Sequence, residues 1–492
     1  MPLVHRVLYP KPIESLDHYI EIHGEDGLRN ATRVDPDVII SELEASGLRG
    51  RGGAGFPTGR KWRTVRSFRS QFERASVVVN AAEGEPGTFK DRSILRINPY
   101  AVIEGALIGA RAVEADEVIV ATKAAFTTEI GRLRTAIDEI RAAGWCDGIT
   151  ITIFEGPKEY LYGEETALLE TIDGRFPFPR ITPPWRRGVR ELVTTDADVD
   201  SESGLSAHVE MAAPDGESPS PPTLVDNVET LANVPRILAR GADWFRTEGT
   251  EESPGTIVCT ITGSTVRHGV GEVIMGTPLR EVIEEIGGGA RPGRTIVAVL
   301  PGVSTRFVSG DLLDTPVTYE ALAAIGSGLG SGGFIVLDDS DDLVAAAAGA
   351  SRFLAVESCG QCTPCKLDGV SISESLAKIA RSEASADDVV QLRRRVATVA
   401  DSARCSLATQ QQVLVDSVIA QWPDAIDAHV ERRAPGVDPL LVAELVDVAN
   451  GVAHVDEHHR GKQPDWTFDE TWSGQMPAAR LGEHREHPTL DE

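Results

Sequence analysis

The chain has 492 residues, 41% hydrophobic and 25% charged, an ordinary soluble globular composition with length enough for about three domains. Its 75 Asp and Glu against 48 Lys and Arg leave a net charge of −27, which excludes nucleic acid and anionic membranes as expected partners, because both require a basic face. No apolar run reaches spanning length and the start, Met1-Pro-Leu-Val-His-Arg6, lacks a signal pattern, so the expectation is a cytoplasmic protein without direct membrane insertion.

Residues 1–46 read as a lead-in with a short helix, Asp37 to Ser46. They run into Gly47-Leu-Arg-Gly-Arg-Gly-Gly-Ala-Gly-Phe-Pro-Thr-Gly-Arg-Lys-Trp62. Its glycines leave backbone amides open to a phosphate, and Arg49, Arg51, Arg60 and Lys61 bring positive charge. Gly50, Gly52 and Gly55 satisfy G-x-G-x-x-G, but that fingerprint requires a preceding strand and here a helix precedes it. A phosphate cradle and a plain Gly-rich connection are both compatible with these residues.

Ala75 to Asn80 is a β-branched run that ends abruptly at Asn80-Ala-Ala-Glu-Gly-Glu-Pro-Gly-Thr-Phe-Lys-Asp-Arg92, as a buried parallel strand delivering a polar loop does. Glu83, Glu85 and Asp91 are then either a site wall or a solvated acidic surface. Alternation follows: helix 101–113, strand 117–121, helix 127–143 and strand 149–154, a doubly wound α/β unit. Gly163-Glu164-Glu165 opens a further helix to about Ile172. The stretch 189–222 is acidic, Ser/Pro-rich and aperiodic, an exposed loop insertion. Asp226 and Asn227 suit the N-cap of the next helix.

From 253 to 337 short strands (256–262, 294–300, 334–337) surround one helix, 279–286, with Thr277-Pro278 as its cap and first-turn proline; this is a small α+β module. Residues 341–433 read as helical, with Val389, Leu392, Val396 and Val399 on one face. From Ala434 a short helix leads into a polar extension carrying His454, His458, His459, His484 and His487, expected to be solvated, and Trp466, Phe468 and Trp472, expected to order against a partner.

Six cysteines are too few for a secreted disulfide framework. Cys146 and Cys259 read as small hydrophobes. Cys359-Gly-Gln-Cys362-Thr-Pro-Cys365 with remote Cys405 suits a 4Fe-4S cluster, three ligands from one tight loop and one from afar, with tetrahedral zinc as the alternative. A phosphate-holding loop together with a redox cluster implies a flavin between a two-electron nicotinamide and a one-electron cluster.

These motifs, with Glu85-Pro-Gly-Thr-Phe-Lys-Asp-Arg92, Gly163-Glu-Glu-Thr-Ala-Leu168, Asn227-Val-Glu-Thr-Leu-Ala-Asn-Val-Pro235 and Glu357-Ser-Cys-Gly-Gln-Cys-Thr-Pro-Cys365, resemble in order the F-type flavoprotein subunit of complex I and its counterparts in NAD-linked hydrogenases and formate dehydrogenases. The resemblance implies a Rossmann-like FMN and NAD(H) domain (1–240), a soluble-ligand-binding β-grasp (SLBB) domain (253–337), a helical iron-sulfur domain (341–433) and a C-terminal extension (434–492). It implies FMN contacts at Gly50, Arg51, Gly52, Lys61, Asn80, Glu83, Gly163, Glu164 and Asn227. Dinucleotide contacts fall at Phe56, Glu85, Tyr160, Glu165 and Trp185, and cluster ligands at Cys359, Cys362, Cys365 and Cys405. No catalytic side chain is implied, since FMN carries the hydride. Ala82, Thr182 and Asp226 depart from the family's aspartate, lysine and asparagine; Thr182 leaves NADP(H) open as the dinucleotide. Implied partners are a thioredoxin-like 2Fe-2S subunit and further iron-sulfur and catalytic subunits, in a soluble formate dehydrogenase or hydrogenase assembly or else in NADH-quinone oxidoreductase. A zinc-stabilised scaffold without redox activity is the reading from another class.

Overall fold

The computed structural model describes residues 3–22, 24–69, 75–146, 148–189 and 221–480. Nearly all of the acidic insertion, together with His484 and His487, lies outside the described residues. Four short strands, β1 (Ser76–Ala81), β2 (Glu117–Lys123), β3 (Thr150–Gly156) and β4 (Thr223–Asn227), pair in parallel in the order β3-β2-β1-β4. The Val77-Val78-Val79 run is wholly buried because both faces are covered. Val77 and Val79 join the core of helix Pro99–Val113, while Val78 packs with Leu168 and Leu169 of helix Glu165–Ile172.

Helix Pro99–Val113 starts at Asn98, whose side chain accepts from the Ala101 amide, with Pro99 in its first turn. It lies against helix Val228–Arg240 so closely that a Cβ on Gly105 would stand 2.0 Å from the Leu231 carbonyl oxygen. Pro235, four residues on from Leu231, has no N–H to offer that carbonyl.

The expected elements of this unit are present within two or three residues of their predicted ends; helices Thr58–Ser67 and Lys90–Ile97 were not expected, and three further differences stand out. The lead-in carries three helices (Leu16–Glu21, Asp26–Ala31, Pro36–Ser46) rather than one. Asp226 and Asn227 belong to β4, because register with β1 places Asn227 opposite Asn80; Asn227 also caps the following helix, accepting from the Glu229 amide at 3.0 Å. Gly163 ends a 3-10 turn, Tyr160–Gly163, and the helix begins at Glu165 with Glu164 as its cap.

The second unit is a five-stranded mixed sheet of β5 (Thr256–Gly263), β6 (Gly269–Ile274), β7 (Ile296–Leu300), β8 (Val308–Ser309) and β9 (Gly333–Asp338), in the order β6-β5-β9-β7-β8. Helix Leu279–Gly287 buries Leu279, Val282, Ile283 and Ile286 on it. Thr277 does not cap that helix: its hydroxyl bonds back to the Ile274 carbonyl, and Pro278 occupies the cap position. Strands β6 and β8 and helix Tyr319–Ala324 were not expected.

Five helices (Leu343–Glu357, Thr363–Ala380, Ala386–Thr398, Leu407–Gln421, Pro423–Val430) share a third core. Leu392, Val396 and Val399 are buried there with Val389 at the margin. No α-helix starts at Ala434; among the described residues beyond it only two 3-10 turns, Glu457–Arg460 and Pro477–Arg480, are helical. Residues 434–444 run irregularly, held by amide bonds from Val437 to Ala380 and from Leu440 to Ala345, and lead to an antiparallel hairpin of β10 (Leu445–Ala449) and β11 (Val452–Val455). No helix among the described residues is long and apolar enough to cross a membrane.

Candidate functional site

In an open parallel sheet the crevice lies where strand order reverses, here between β1 and β4, at their carboxyl ends. Asn80, next to last in β1, and Asn227, last in β4, stand directly opposite each other. The Asn80 amide donates to the Gly163 carbonyl at 2.8 Å, fixing the segment after β3 to the end of β1. Gly52 sits on Asn227, where a Cβ would lie 3.2 Å from the Asn227 Cβ. Lys61 reaches Glu165 at 3.1 Å and the Val225 carbonyl at 2.8 Å. Four segments distant in sequence therefore meet at one crevice.

The Gly-rich loop is shaped from both sides. The Gly50 amide bonds the Phe56 carbonyl, closing the loop, and the Tyr319 hydroxyl donates to the Gly50 carbonyl at 2.7 Å. Gly55, at φ +61°, lies flat on the Tyr319 ring, so no side chain fits there. Gly52 and Phe56 are exposed. The expected positive charges are only partly available. Arg51 is buried: its backbone amide bonds Thr230, its guanidinium bonds the Arg49 and Pro254 carbonyls, and it faces Glu229. Arg49 stacks on Tyr319 and bonds the Gly55 carbonyl. Lys61 points into the crevice. Burial pulls its ammonium toward neutrality, but Asp226 and Glu165 outweigh this and hold it above the ordinary lysine range.

The carboxylates after β1 are structural as well as site-facing. Glu83 is buried and accepts from the amides of Asp91 and Arg92 at the start of helix Lys90–Ile97; burial, then the neighbouring Asp91, pushes its carboxyl up to about 7. Glu85 accepts from the Tyr160 hydroxyl at 2.6 Å and from the Val303 amide at 2.7 Å, a contact between the two sheets. Glu164 is committed to its own helix, accepting from Thr166 and Ala167. Trp185 is half-buried at the margin of the first core. Ala82 is buried, and Asp226 instead bonds the Trp62 indole at 2.6 Å. Thr182 is exposed beside Arg180, whose guanidinium is taken by Glu170 and the Arg187 carbonyl.

Cys359, Cys362, Cys365 and Cys405 line one pocket, walled also by Leu161, Ser358 and Leu407. Cys362 precedes helix Thr363–Ala380 and Cys405 lies just before helix Leu407–Gln421, so two helix starts place these thiols at the pocket. Among the described residues no group of three or more His, Cys, Asp or Glu side chains converges tightly enough for a single ion. Four thiols lining one pocket, three from a tight loop and one remote in sequence, fit a multi-iron cluster. Burial raises the thiols of Cys359, Cys365 and Cys405, the last two to about 11 and about 12, so bound iron is what would hold these as thiolates. Cys259 is buried and Cys146 half-buried, both away from this cavity.

Some residues at these sites gave no sequence signal. Lys90 is fully buried among Asp91, Glu229 and Asn227, its only trace being its place in Lys-Asp-Arg after a strand. Glu357 accepts from the Tyr160 amide at 3.2 Å, Lys462 at 2.7 Å and His459 at 3.0 Å. His459 is thus buried rather than solvated, and Trp466 packs within this chain against Phe178 rather than awaiting a partner. Leu161 walls the cysteine cavity.

Residues 43–236 match the Nuo51 FMN-binding domain, and residues 345–429 the NADH-ubiquinone oxidoreductase-F iron-sulfur binding region. The NADP-reducing hydrogenase subunit HndC of Solidesulfovibrio fructosivorans is 34% identical over 89% of this chain and 85% of its own length. An F-type subunit of NADH-quinone oxidoreductase from Rhizobium meliloti (strain 1021) is 35% identical over 83% and 93%. A crystal structure of NAD+-reducing [NiFe]-hydrogenase in the H2-reduced state superposes with a TM-score of 0.71 at 29% identity, covering 87% of this chain and 68% of that one. With its FMN-binding and iron-sulfur regions both present, this chain belongs to the F-type family of NADH-quinone oxidoreductase subunits, the FMN- and 4Fe-4S-containing components of oxidoreductases acting on NAD(P)H.

Proposed function

We propose that the crevice between β1 and β4 holds FMN, with Gly50, Arg51, Gly52 and Lys61 on its phosphate side and Asn80, Glu83, Gly163, Glu164 and Asn227 around the ring. Phe56, Glu85, Tyr160, Glu165 and Trp185 receive NAD(H), and Cys359, Cys362, Cys365 and Cys405 hold the cluster. When bound, FMN takes a hydride from the nicotinamide and releases its electrons singly to iron, chemistry no side chain here supplies. The chain's own work is orientation. Lys61 offers a cation restrained by Glu165, the Gly-rich backbone admits close approach, and Glu85 holds Tyr160 in one rotamer across the crevice. Arg51 acts through its backbone position, its guanidinium being bonded inward.

One observation carries this reading: the single turn Tyr160–Gly163 borders both sites. Tyr160 bonds Glu85, Gly163 bonds Asn80, and Leu161 between them walls the cysteine cavity. Anaerobic NADH should bleach the flavin of the purified protein and then the iron-sulfur absorption; a folded preparation free of flavin and iron overturns it.

The five-stranded unit is read as the SLBB β-grasp domain between a flavin domain ending near 240 and a helical domain from 341. The assembly is read as a cytoplasmic one, with a thioredoxin-like 2Fe-2S subunit and further iron-sulfur and catalytic subunits, in which a hydrogenase or formate dehydrogenase supplies or consumes the electrons. The hydrogenase-derived relative and the superposed hydrogenase chain support it; the relatives from NADH-quinone oxidoreductase favour the quinone-linked alternative. Subunits co-purifying with the tagged protein distinguish the two.

A further inference from the structure

The C-terminal segment 441–480 touches both ends of this path from behind. At the nucleotide end, Glu444 pairs with Lys123 at 2.5 Å, and the Lys123 ammonium lies directly beneath Gly84, where a Cβ would come within 2.7 Å of it. Gly84 separates Glu83 from Glu85. At the junction, buried Lys462 and His459 both bond one oxygen of Glu357, whose other oxygen accepts from the Tyr160 amide. At the cluster end, the Trp466 indole donates to the Val356 carbonyl at 3.0 Å and the Ala478 amide to the Cys359 carbonyl at 2.9 Å. Met476 packs on Gly360, which at φ +78° has no room for a Cβ.

These contacts share one arrangement. Glu357 is covalently two residues from Cys359 and bonded to Tyr160, so its carboxylate ties the cysteine loop to the crevice wall, and its remaining hydrogen bonds come from the extension. A carboxylate buried this deeply keeps a fixed place only while its partners are present. We infer that the extension is a splint that sets the crevice wall in register with the cysteine loop, with Lys462 as its positioning residue, and so governs electron passage between the two sites without touching NAD(H). The inference rests on the cofactor placement proposed above.

Lys462→Met, made in the full chain, tests it. The variant should retain iron and flavin and bleach its flavin with NADH at the wild-type rate. Its iron-sulfur absorption should then fall roughly tenfold more slowly, with a shifted paramagnetic resonance spectrum of the reduced cluster, because small misplacements of a reacting pair carry penalties of this order. Lys462→Arg should restore both. If Lys462→Met does not fold, Trp466→Phe, which removes the indole bond to Val356 and keeps an aromatic ring beside Phe178 and Lys462, takes its place with the same readouts. Wild-type cluster reduction and spectrum in an iron-loaded variant overturn the splint alone; wild-type protein that binds no iron overturns the splint and the cofactor placement together.

Discussion

The hydroxyl of Tyr160 lies 2.6 Å from the Glu85 carboxylate, joining the turn after β3 to the loop after β1 across the crevice. Burial, then the adjacent carboxylate, raises this phenol well above its ordinary range, so it stays a donor at neutral pH. Tyr160→Phe removes the donor and keeps the ring on Phe353. Losing a hydrogen bond to a charged group should raise the KM for NADH about tenfold, with kcat and flavin content near wild type. Steady-state kinetics with an artificial acceptor measures this.

The proposed cluster and flavin sites should be separable by substitution. Cys365→Ala deletes one wall of the cluster cavity and leaves the crevice between β1 and β4 intact. The purified variant should be yellow and bleached by NADH while losing most iron and acid-labile sulfide, as metal and sulfide analysis beside the visible spectrum will show. Stoichiometric zinc in the wild type, without sulfide, would refute a cluster there.

Glu83 gives stability a distinct pH dependence. An unfolded glutamate titrates near 4.5, whereas burial and Asp91 push Glu83 up to about 7. Between these values the folded protein keeps a proton that the unfolded chain has released, so this group's contribution is full below 4.5 and lost as pH rises through 7. The loss approaches about 3 kcal/mol. Glu83→Gln should flatten that part of the profile and leave the flavin-depleted variant more stable than wild type above pH 7. Urea midpoints across the window measure it.

Gly105 is a packing constraint in the first core. Gly105→Val would drive a side chain into the Leu231 carbonyl and force apart helices Pro99–Val113 and Val228–Arg240. Overpacking of this kind costs about 3 kcal/mol, visible as a lowered thermal midpoint. Asn227 stands at the start of the displaced helix, so flavin retention should fall with it.

What was readable from sequence follows from how local its cause is. Strands β1 to β3 are continuous β-branched runs, and the cysteine spacing carries its own chemistry, so both were legible. Strand β4 was not: Thr223-Leu-Val-Asp-Asn227 is five residues ending in two cap formers, and pairing with β1 decides its state. Arg51 looked like a loop cation because its burial depends on Glu229 and Pro254, far away in the chain. The Glu357, His459 and Lys462 set was hidden for the same reason, about a hundred residues separating its members within polar sequence.

The hydroxyls of Ser76 and Thr223 meet at 2.7 Å, although 147 residues separate them. During synthesis the central strand therefore gains β2 early and waits for β4, with one full edge of Val77-Val78-Val79 unpaired in the meantime. At ribosomal speed that interval lasts on the order of ten seconds. An open edge of this composition is a template for intermolecular pairing. Yield in a heterologous host should thus depend on how quickly residues 76–227 are translated and on whether a chaperone covers the nascent chain over that span.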